Sequence, residues 1–300
     1  MARIARILAT FFLGLLWGSG AVWAAGPFPY RLPQGPGVDA NAVTVVGKPQ
    51  THHIVRYENL YKIAEQYDLG FWELAKYHRS LDHFYLPWET DIVIPTQWVL
   101  PETANPPGYL INIAELRGYR FFPERGEVYT FPIGIGVLDH KTPIDQSFTV
   151  QSRVENPSWH IPAELQAKYG MSVMPAGPDN PVGSHWLGLS HYGLHGTHAP
   201  MGVGRLVSHG CIRHYPEDIQ KLYDITPVGT SVNIIYEPVK FGYQKAASLW
   251  KSMKTSIIGR RYAHLRHKET GIHGLGSRTN WLKFVQAIEE QSGAPVDITR

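Results

Sequence analysis

The sequence has 300 residues and a mass of 33.8 kDa, enough for one large domain or two modest ones with a buried core. Hydrophobic residues make up 43% of the chain and charged residues 18%, which excludes an intrinsically disordered protein. The formal net charge is only +3, and no basic run is interleaved with aromatic residues, so the composition argues against a nucleic-acid-binding protein.

The N-terminus has the layout of a secretory signal. Arg3 and Arg6 precede an apolar stretch over residues 7–17, and small side chains follow it. This order predicts a signal peptide over residues 1–24, cleaved after Ala24. An uncleaved anchor is the alternative. No later segment reaches 18 apolar residues, so we expect an exported protein with no membrane span after cleavage.

A small unit with two strands and two helices is predicted after a segment rich in proline and glycine. His53–Val55 is predicted to be a short strand. Apolar residues then recur at helical spacing over residues 60–67 and again over residues 71–78. Residues 91–95 are predicted to form the closing strand.

This unit resembles a LysM module, a peptidoglycan-binding domain, through the stretches HHIVRYENLYKIAEQYDLGFWELAKYHRSL and IVIPTQW. The resemblance implies a LysM-like module over residues 51–98. Where LysM modules usually have Gly-Asp-Thr-Leu, this chain has Tyr57-Glu58-Asn59-Leu60. The alternative is a small packing domain beside the main one.

The middle of the chain, up to about Val239, consists of short β segments separated by turns. The predicted strands are Tyr109–Ile113, Gly126–Ile133, Ser147–Val154, Gly193–His195 and Ser231–Tyr236. One helix is predicted over Glu217–Tyr223, because Pro216 is suited to a first helical position.

Beyond Phe241 the chain becomes a basic tail that is predicted to be partly helical. An amphipathic helix is indicated there by Trp281, Phe284, Val285 and Ile288. We therefore predict a mainly β protein with a small α+β unit before the β domain and a basic C-terminal extension over residues 239–300.

The chain contains a single cysteine, Cys211, which excludes an intramolecular disulfide framework and any site that needs several thiolates. His209 lies two residues before it and His195 sixteen residues before it. An imidazole can accept the thiol proton and leave a thiolate–imidazolium pair, provided that a third group fixes the ring. A lone cysteine beside a histidine is, however, by default a buried small residue.

The residues around the cysteine fit acyl transfer. The N–H groups of Gly210 and Cys211 are candidates for an oxyanion hole, and Arg213 is suited to bind a substrate carboxylate. Zinc ligation is the competing interpretation, with His195, His198, His209, Cys211 and His214 as potential ligands. Their spacing matches no zinc signature, so we predict neither a metal nor a cofactor. Trp159, Trp186 and Tyr192 either line a cleft or belong to the core.

The sequence from His195 to Arg213 resembles the signature of the YkuD-type L,D-transpeptidase catalytic domain. His195-Gly-Thr is followed by Ser-His-Gly-Cys-Ile-Arg, with thirteen residues between His195 and His209. Further matches are Thr142-Pro143, Asn156–Trp159, Pro175–Gly183 and Pro227–Thr230. The resemblance covers residues 107–238 and implies a β-sandwich or barrel-like fold. It is greatest to the Gram-negative periplasmic group that carries a LysM-like segment before the catalytic domain.

The resemblance also implies roles for individual residues. It makes Cys211 the nucleophile, His195 the general base and the Gly196 carbonyl the group that orients the imidazole. The implied supporting residues are His209 beside the thiolate, Ser208 and Gly210 in the loop, Arg213 at the stem peptide and Tyr192 near the oxyanion. The family usually has glycine two residues after Thr-Pro, a position occupied here by Asp145.

These implications predict a periplasmic cysteine L,D-transpeptidase that acts on peptidoglycan stem peptides through a thioester. The acceptor would be a second stem peptide, an outer-membrane lipoprotein or other protein, or a free D-amino acid. Two alternatives stay open: a hydrolase, in which water resolves the same thioester, and a non-catalytic wall-binding protein that acts through residues 51–98.

Overall fold

The computed structural model describes residues 29–32, 45–101, 108–244, 249–254, 280–290 and 295–297. The predicted signal peptide, residues 1–24, lies outside them. Within the described ranges, no helix combines the length and the apolar character needed to cross a bilayer.

The secondary structure is mainly β, as the sequence predicted. In chain order the strands are β1 (Tyr30–Arg31), β2 (Val45–Gly47), β3 (Gln50–His53), β4 (Asp91–Ile94), β5 (Gln97–Val99), β6 (Gly108–Asn112), β7 (Arg117–Phe122), β8 (Glu127–Pro132), β9 (Ile135–Gly136), β10 (Gln146–Thr149), β11 (Ser152–Glu155), β12 (Trp159–His160), β13 (Val173–Met174), β14 (His185–Leu189), β15 (Tyr192–His195), β16 (Leu206–Ser208), β17 (Ile212–Arg213), β18 (Ser231–Ile235), β19 (Val239–Gln244), β20 (Leu249–Lys254) and β21 (Val296–Asp297). The α-helices are α1 (Leu60–Gln66), α2 (Phe71–Tyr77), α3 (Ala163–Tyr169), α4 (Pro216–Asp224) and α5 (Trp281–Glu290).

The N-terminal unit has the predicted order of strand, helix, helix and strand. Its strand β3 pairs with β4, and β2 pairs with β5, both antiparallel. Helix α1 begins where predicted because the Asn59 side chain accepts a hydrogen bond from the backbone N–H of Lys62. The predicted strand at His53–Val55 is displaced: β3 ends at His53, and the chain turns into α1 after it.

The largest sheet has the strand order β1-β8-β7-β6-β18-β10. All its pairs are antiparallel except β6–β18. Because side chains alternate across a strand, its two faces enter different cores. On one face, Tyr119 and Phe121 join the core of the N-terminal unit; on the other, Ile111 and Val232 pack toward a second sheet.

The second sheet, β11-β14-β15-β17, carries the stretch around the cysteine. The predicted strand Ser147–Val154 is wrong, since β10 and β11 belong to different sheets. The switch occurs at Val150, whose N–H donates to Thr230 beside the first sheet, while the N–H of Gln151 donates to Gly188 of the second. The chain therefore crosses from one layer to the other within two residues.

The C-terminal extension contains more than the predicted helix. Helix α5 is present, and β19, β20 and β21 form a separate three-stranded sheet. The first of these strands is tied to the rest of the protein by Lys240, which is buried and forms an ion pair with Glu115 at 2.7 Å. Its ammonium also donates to the Val99 carbonyl, so a single cation joins the extension to two other segments.

A buried ion pair joins the N-terminal unit to the large sheet. The Arg117 guanidinium donates to the Glu73 carboxylate at 2.6 Å, and the Arg117 side chain has no exposed surface. Its Cζ lies 4.6 Å from the centroid of the Trp98 ring, and the Trp98 Nε1–H donates to the other Glu73 oxygen at 2.9 Å. Both oxygens of the Glu73 carboxylate are thus paired across the junction.

Replacement of Glu73 by alanine is expected to lower the free energy of unfolding by about 3 kcal/mol, because it leaves the buried Arg117 charge without a counterion. Urea unfolding measures this change. The matched control is Glu124→Ala, which breaks an ion pair with Arg125 whose two side chains are half or more exposed. We expect the control to cost less than about 1 kcal/mol. Equal losses in the two variants would contradict the assignment.

Candidate active site

The pairing of β15 with β17 brings the predicted site residues to one face of the second sheet. The strands run parallel, with His195 opposite Arg213 and Leu194 opposite Ile212. Leu194 and Ile212 are completely buried in the core. Because side chains alternate along a strand, His195 and Arg213 lie on the other face, and Cys211, two residues before Arg213, shares it.

The His195 imidazole is held by the residue that follows it. Its Nδ1 lies 2.6 Å from the Gly196 carbonyl oxygen. A carbonyl can only accept a hydrogen bond, so Nδ1 carries the proton and Nε2 the lone pair. Gly183, with φ of 66°, supports this arrangement: a Cβ there would lie 2.8 Å from both Cα and C of Gly196. Only glycine fits this close approach.

The electrostatic environment of the His195–Cys211 pair favours its neutral form. His195 is only 4% exposed, and burial, with the nearby Arg213 charge, lowers its pKa to about 3 against the opposing effect of the Gly196 bond. Burial also raises the pKa of the Cys211 thiol, and a hydrogen bond with the Gly193 backbone and the Arg213 charge only partly oppose it. Both shifts favour a neutral thiol and a neutral imidazole over the thiolate–imidazolium pair considered from the sequence.

Hydrogen bonds from two hydroxyl groups fix the loop that carries the cysteine. The Ser208 hydroxyl donates to the Cys211 carbonyl at 2.5 Å. The Thr142 hydroxyl donates to the Gly210 carbonyl at 2.9 Å and accepts from the backbone N–H of Gly136 at 3.0 Å. The Thr-Pro segment singled out in the sequence thus braces the backbone on the N-terminal side of Cys211.

Tyr192 packs against the same loop. Gly210 has φ of 100°, and a Cβ there would lie 2.9 Å from Cε1 of the Tyr192 ring. The ring also makes an edge contact with Phe148, with centroids 5.9 Å apart. Tyr192 therefore lies directly beside the backbone that precedes Cys211.

Asp145 stands two residues after Thr-Pro, where the family that this chain resembles usually has glycine. Asp145 adopts φ of 56°, in the left-handed region that glycine favours. Aspartate is among the few non-glycine residues that visit this region regularly, because its short side chain can form local hydrogen bonds.

His209 lies at the exposed side of the loop, next to residues that the sequence did not single out. Its ring centroid is 4.6 Å from that of His140. Partial burial lowers the pKa of His209, interactions with His140, Arg213 and Lys168 contribute in the same direction, and Glu164 opposes them. Helix α3 and the loop with His140 therefore border the site. They come from sequence positions 40 or more residues before His209.

Arg213 has an unsatisfied donor. In the part of the chain that the structure describes, its buried Nε has no hydrogen-bond partner. Burial lowers the pKa of this guanidinium, and Tyr169 and Cys211 oppose the shift, so both residues are close to it. A buried cationic donor of this kind can bind a carboxylate.

The histidines of the zinc alternative point in different directions. His214 is buried on the core side, where its Nε2 lies 2.8 Å from the Tyr109 hydroxyl, whereas His198 is exposed. Within the described ranges, no group of three or more His, Cys, Asp or Glu side chains is arranged to hold a metal ion.

Comparisons of this chain with protein-family models and known proteins find several similar L,D-transpeptidases. A family model described as the L,D-transpeptidase catalytic domain (YkuD) matches residues 106–234. The probable L,D-transpeptidase ErfK/SrfK of Escherichia coli K12 is 32% identical over 251 residues, which cover 79% of this chain and 81% of that protein. The probable L,D-transpeptidase YbiS of the same strain is 39% identical over 184 residues, covering 59% and 60%.

A solved catalytic-domain structure of the Enterococcus faecium L,D-transpeptidase aligns with 44% of this chain and 99% of its own, at 17% identity and a TM-score of 0.35. The sequence similarity to the ErfK/SrfK protein extends over a longer part of this chain than the family model does.

Proposed function

This chain belongs to the L,D-transpeptidase family, and we propose on that basis that it is a cysteine acyltransferase that transfers peptidoglycan stem peptides through a thioester. The observation that carries the proposal is the shared face of Cys211, His195 and Arg213, with His195 Nδ1 bonded to the Gly196 carbonyl. This arrangement provides a nucleophile, an oriented base and a cation for the substrate.

In the first half-reaction the Cys211 sulfur attacks a carbonyl carbon of the stem peptide, while His195 Nε2 accepts the thiol proton. The backbone N–H groups of Gly210 and Cys211, with Tyr192 beside them, stabilise the oxyanion. The C–N bond then breaks, and His195 gives the proton to the departing nitrogen of the terminal D-amino acid. A thioester on Cys211 is left.

In the second half-reaction an acceptor amine attacks the thioester carbonyl. His195 removes a proton from this amine, the C–S bond breaks, and the proton returns to the sulfur. The products are a new amide and the free thiol. The acceptor is a second stem peptide, a protein such as an outer-membrane lipoprotein, or a free D-amino acid. If water attacks instead, the same site acts as a hydrolase.

Arg213 links substrate binding to the basicity of His195. Its charge lowers the pKa of the imidazole in the free protein. A substrate carboxylate bound to Arg213 offsets that charge, so the imidazole becomes a stronger base when the substrate is present. His209 and Ser208 act in the same loop, His209 beside the thiol and Ser208 through its bond to the Cys211 carbonyl.

The proposal is tested by incubation of the mature protein, and of Cys211→Ala, with disaccharide-tetrapeptide fragments, followed by mass spectrometry. We expect an acyl-enzyme and crosslinked dimers that depend on Cys211. Tripeptide without dimers would indicate hydrolysis or exchange. If no product depends on Cys211, both enzymatic hypotheses, the transpeptidase and the hydrolase, are refuted and the wall-binding alternative remains.

We further propose that residues 51–98 form a module that binds the glycan strand. The supporting observation is an exposed aromatic patch formed by Arg56, Tyr57 and Trp88, with Phe84 and Tyr85 also exposed three to four residues before Trp88 in the chain. Tyr57 and Tyr85 are each more than 80% exposed, and the Arg56 guanidinium lies within 6 Å of the Tyr57 and Trp88 ring centroids. Exposed aromatic faces of this kind stack on sugar rings.

Cosedimentation with peptide-free glycan strands tests the module. Tyr57→Ala with Trp88→Ala is expected to reduce binding of the full chain, whereas Tyr77→Ala, a partly exposed tyrosine outside the patch, is not. Equal binding by the double variant and the native chain would refute the glycan site and favour a packing domain. We place the protein in the periplasm after cleavage at Ala24, which N-terminal sequencing of the exported protein tests.

The pH dependence of the site follows from the shifted pKa values. His195 acts as a base only when neutral, and with a pKa of about 3 it stays neutral down to about pH 4. We therefore expect kcat/KM for acylation at pH 5 to stay within about twofold of its value at pH 7. A base with the ordinary histidine pKa would keep about 3% of its activity at pH 5.

Alkylation of Cys211 by iodoacetamide provides an independent check in the free protein. Because the thiol pKa is raised, the rate is expected to increase with pH through and beyond the ordinary thiol range. A rate that is already constant from pH 6 upward would instead indicate a preformed thiolate–imidazolium pair.

A further inference from the structure

Trp186 lies beside His195 on the face of the sheet that carries the site. The two residues are direct partners in the antiparallel pairing of β14 with β15. Their rings are stacked, with centroids 5.5 Å apart and planes inclined by 17°. The sequence left open whether Trp186 lines a cleft or belongs to the core. In the structure, the half-buried indole lies against the imidazole that we propose as the base.

Two glycines provide the space that the indole occupies. A Cβ on Gly193 would lie 2.3 Å from Cζ2 and 2.4 Å from Cη2 of Trp186, and one on Gly188 would lie 3.1 Å from its Nε1. No side chain at position 193 could coexist with the indole in this place. The ring therefore rests on backbone, and its position is fixed by the strand beneath it.

Gly193 also connects this ring to the nucleophile. In the parallel pairing of β15 with β17, Gly193 directly precedes Leu194 and Cys211 directly precedes Ile212, the partner of Leu194. The Gly193 backbone forms a hydrogen bond with the Cys211 thiol. The indole thus contacts the base on one side and covers the backbone that contacts the nucleophile on the other.

The hydrogen bond to Gly196 holds the imidazole at a single atom, Nδ1, and so restrains the tilt of the ring only in part. The torsion that sets this tilt, χ2, has a broad energy minimum in histidine. We infer that Trp186 is a positioning residue that holds the plane of the His195 ring by stacking, so that Nε2 stays directed at the Cys211 thiol. The inference rests on the proposed role of His195 as the general base.

The indole also shields the imidazole from water. His195 is almost completely buried although it lies on the face of the site, and this burial is the main cause of its lowered pKa. Removal of the ring face hydrates the imidazole. The pKa of His195 then rises toward its ordinary value, and the acid limb of the activity profile moves to higher pH with it.

Two substitutions separate the effect of a flat ring from that of apolar bulk. Trp186→Phe keeps a ring that can stack, whereas Trp186→Leu keeps apolar volume without one. With the disaccharide-tetrapeptide as substrate, we expect Trp186→Leu to lower kcat for acylation by about tenfold or more with little change in KM, because the base is misaligned. Trp186→Phe is expected to keep most of the native rate.

The titration of the His195 imidazole is measured in the same variants by NMR, with its signals assigned by their loss in His195→Gln. We expect the midpoint to rise in Trp186→Leu and to stay near the native value in Trp186→Phe. The control is Trp72→Leu, which removes a partly exposed tryptophan of the N-terminal unit and leaves both readouts unchanged. Circular dichroism and thermal melting establish that each variant is folded.

An unchanged His195 titration and an unchanged kcat in folded Trp186→Leu would overturn the inference. So would equal losses in the Phe and Leu variants, since the ring face would then be irrelevant. If the native protein forms no Cys-dependent product, the proposed function fails, but the NMR titration still decides whether Trp186 controls the environment of His195. The two failures are therefore distinguishable.

Discussion

Replacement of His195 by glutamine is expected to lower the rate of acyl-enzyme formation by about 10³-fold. The substitution keeps an uncharged polar side chain of similar length but removes the nitrogen that accepts the thiol proton. The effect should be large because both pKa shifts work against spontaneous ionisation: the thiol is harder to deprotonate than a free cysteine. Without a base in contact, very little thiolate is available at neutral pH.

Single-turnover mass spectrometry of the acyl-enzyme measures this rate. His198→Gln is the matched control, since His198 lies three residues further along the same segment but is exposed to solvent. We expect the control to acylate at the native rate. His209→Gln separates the two histidines to which the motif gives a role in catalysis. Its effect should be smaller, because His209 is exposed and, among the residues that the structure describes, no carbonyl accepts a hydrogen bond from its ring. Native acylation by His195→Gln would show that another group is the base.

Elements with local sequence signals were predicted well. Helix α4 has Pro216 at its first position as predicted, and α1 begins after the capping residue Asn59. The spacing of apolar residues in these helices indicates a single buried face. This face is recognised from the sequence without knowing which segment packs against it. Strands β6 and β18 were also predicted, because each contains a run or an alternation of apolar residues: residues 109–111 in β6, and Val232, Ile234 and Ile235 in β18.

Strand β7 shows why other elements were missed. Its sequence, RGYRFF, contains two arginines, yet all six residues are buried. Arg117 can be buried only because Glu73, 44 residues earlier, neutralises it. Such a pairing depends on the tertiary structure, so a pattern read from one segment assigns the arginines to solvent. The crossing from one sheet to the other at Val150 could not be predicted for a similar reason. It depends on which strands β10 and β11 pair with, and those partners lie elsewhere in the sequence.

The residues of the candidate site also fall into two groups, those that the sequence predicts and those that only the tertiary structure brings together. Cys211, His195 and Arg213 lie within one short motif, so the sequence alone groups them. His140, Glu164 and Lys168 reach the site through tertiary packing and carry no local signal. Trp186 was visible in the sequence, but its stacking on His195 depends on strand register and on the glycine at position 193. A shift of one residue in that register would turn the indole to the other face.

Replacement of Gly204 by alanine is expected to destabilise the protein by about 4 kcal/mol, the largest stability effect that we predict. Gly204 lies in the loop between His195 and Cys211, has φ of 77°, and packs against the start of α2. A Cβ there would lie 2.6 Å from the Gly70 Cα and 2.6 Å from the Phe71 nitrogen. Both atoms belong to backbone that cannot rotate away.

The matched control is Gly229→Ala. Gly229 has φ of 90°, but no heavy atom lies within 4 Å of the position of its Cβ. Gly229→Ala therefore costs only the backbone strain, about 1–2 kcal/mol. Alanine also makes the unfolded chain less flexible than glycine does, and the stabilisation that results is the same in both variants. Urea unfolding gives the two free energies. Equal losses at the two positions would show that the loop does not pack on the N-terminal unit in this way.

The functional consequence distinguishes two views of residues 51–98. If this segment were a tethered wall anchor, Gly204→Ala would leave the acylation rate of the folded protein unchanged. The structure instead packs Gly70 against the loop that connects the base to the nucleophile. The Tyr215 hydroxyl, four residues after Cys211, donates to the Leu69 carbonyl at 3.0 Å. We therefore expect acylation to fall in Gly204→Ala and to stay native in Gly229→Ala, because the N-terminal unit supports the geometry of the catalytic loop.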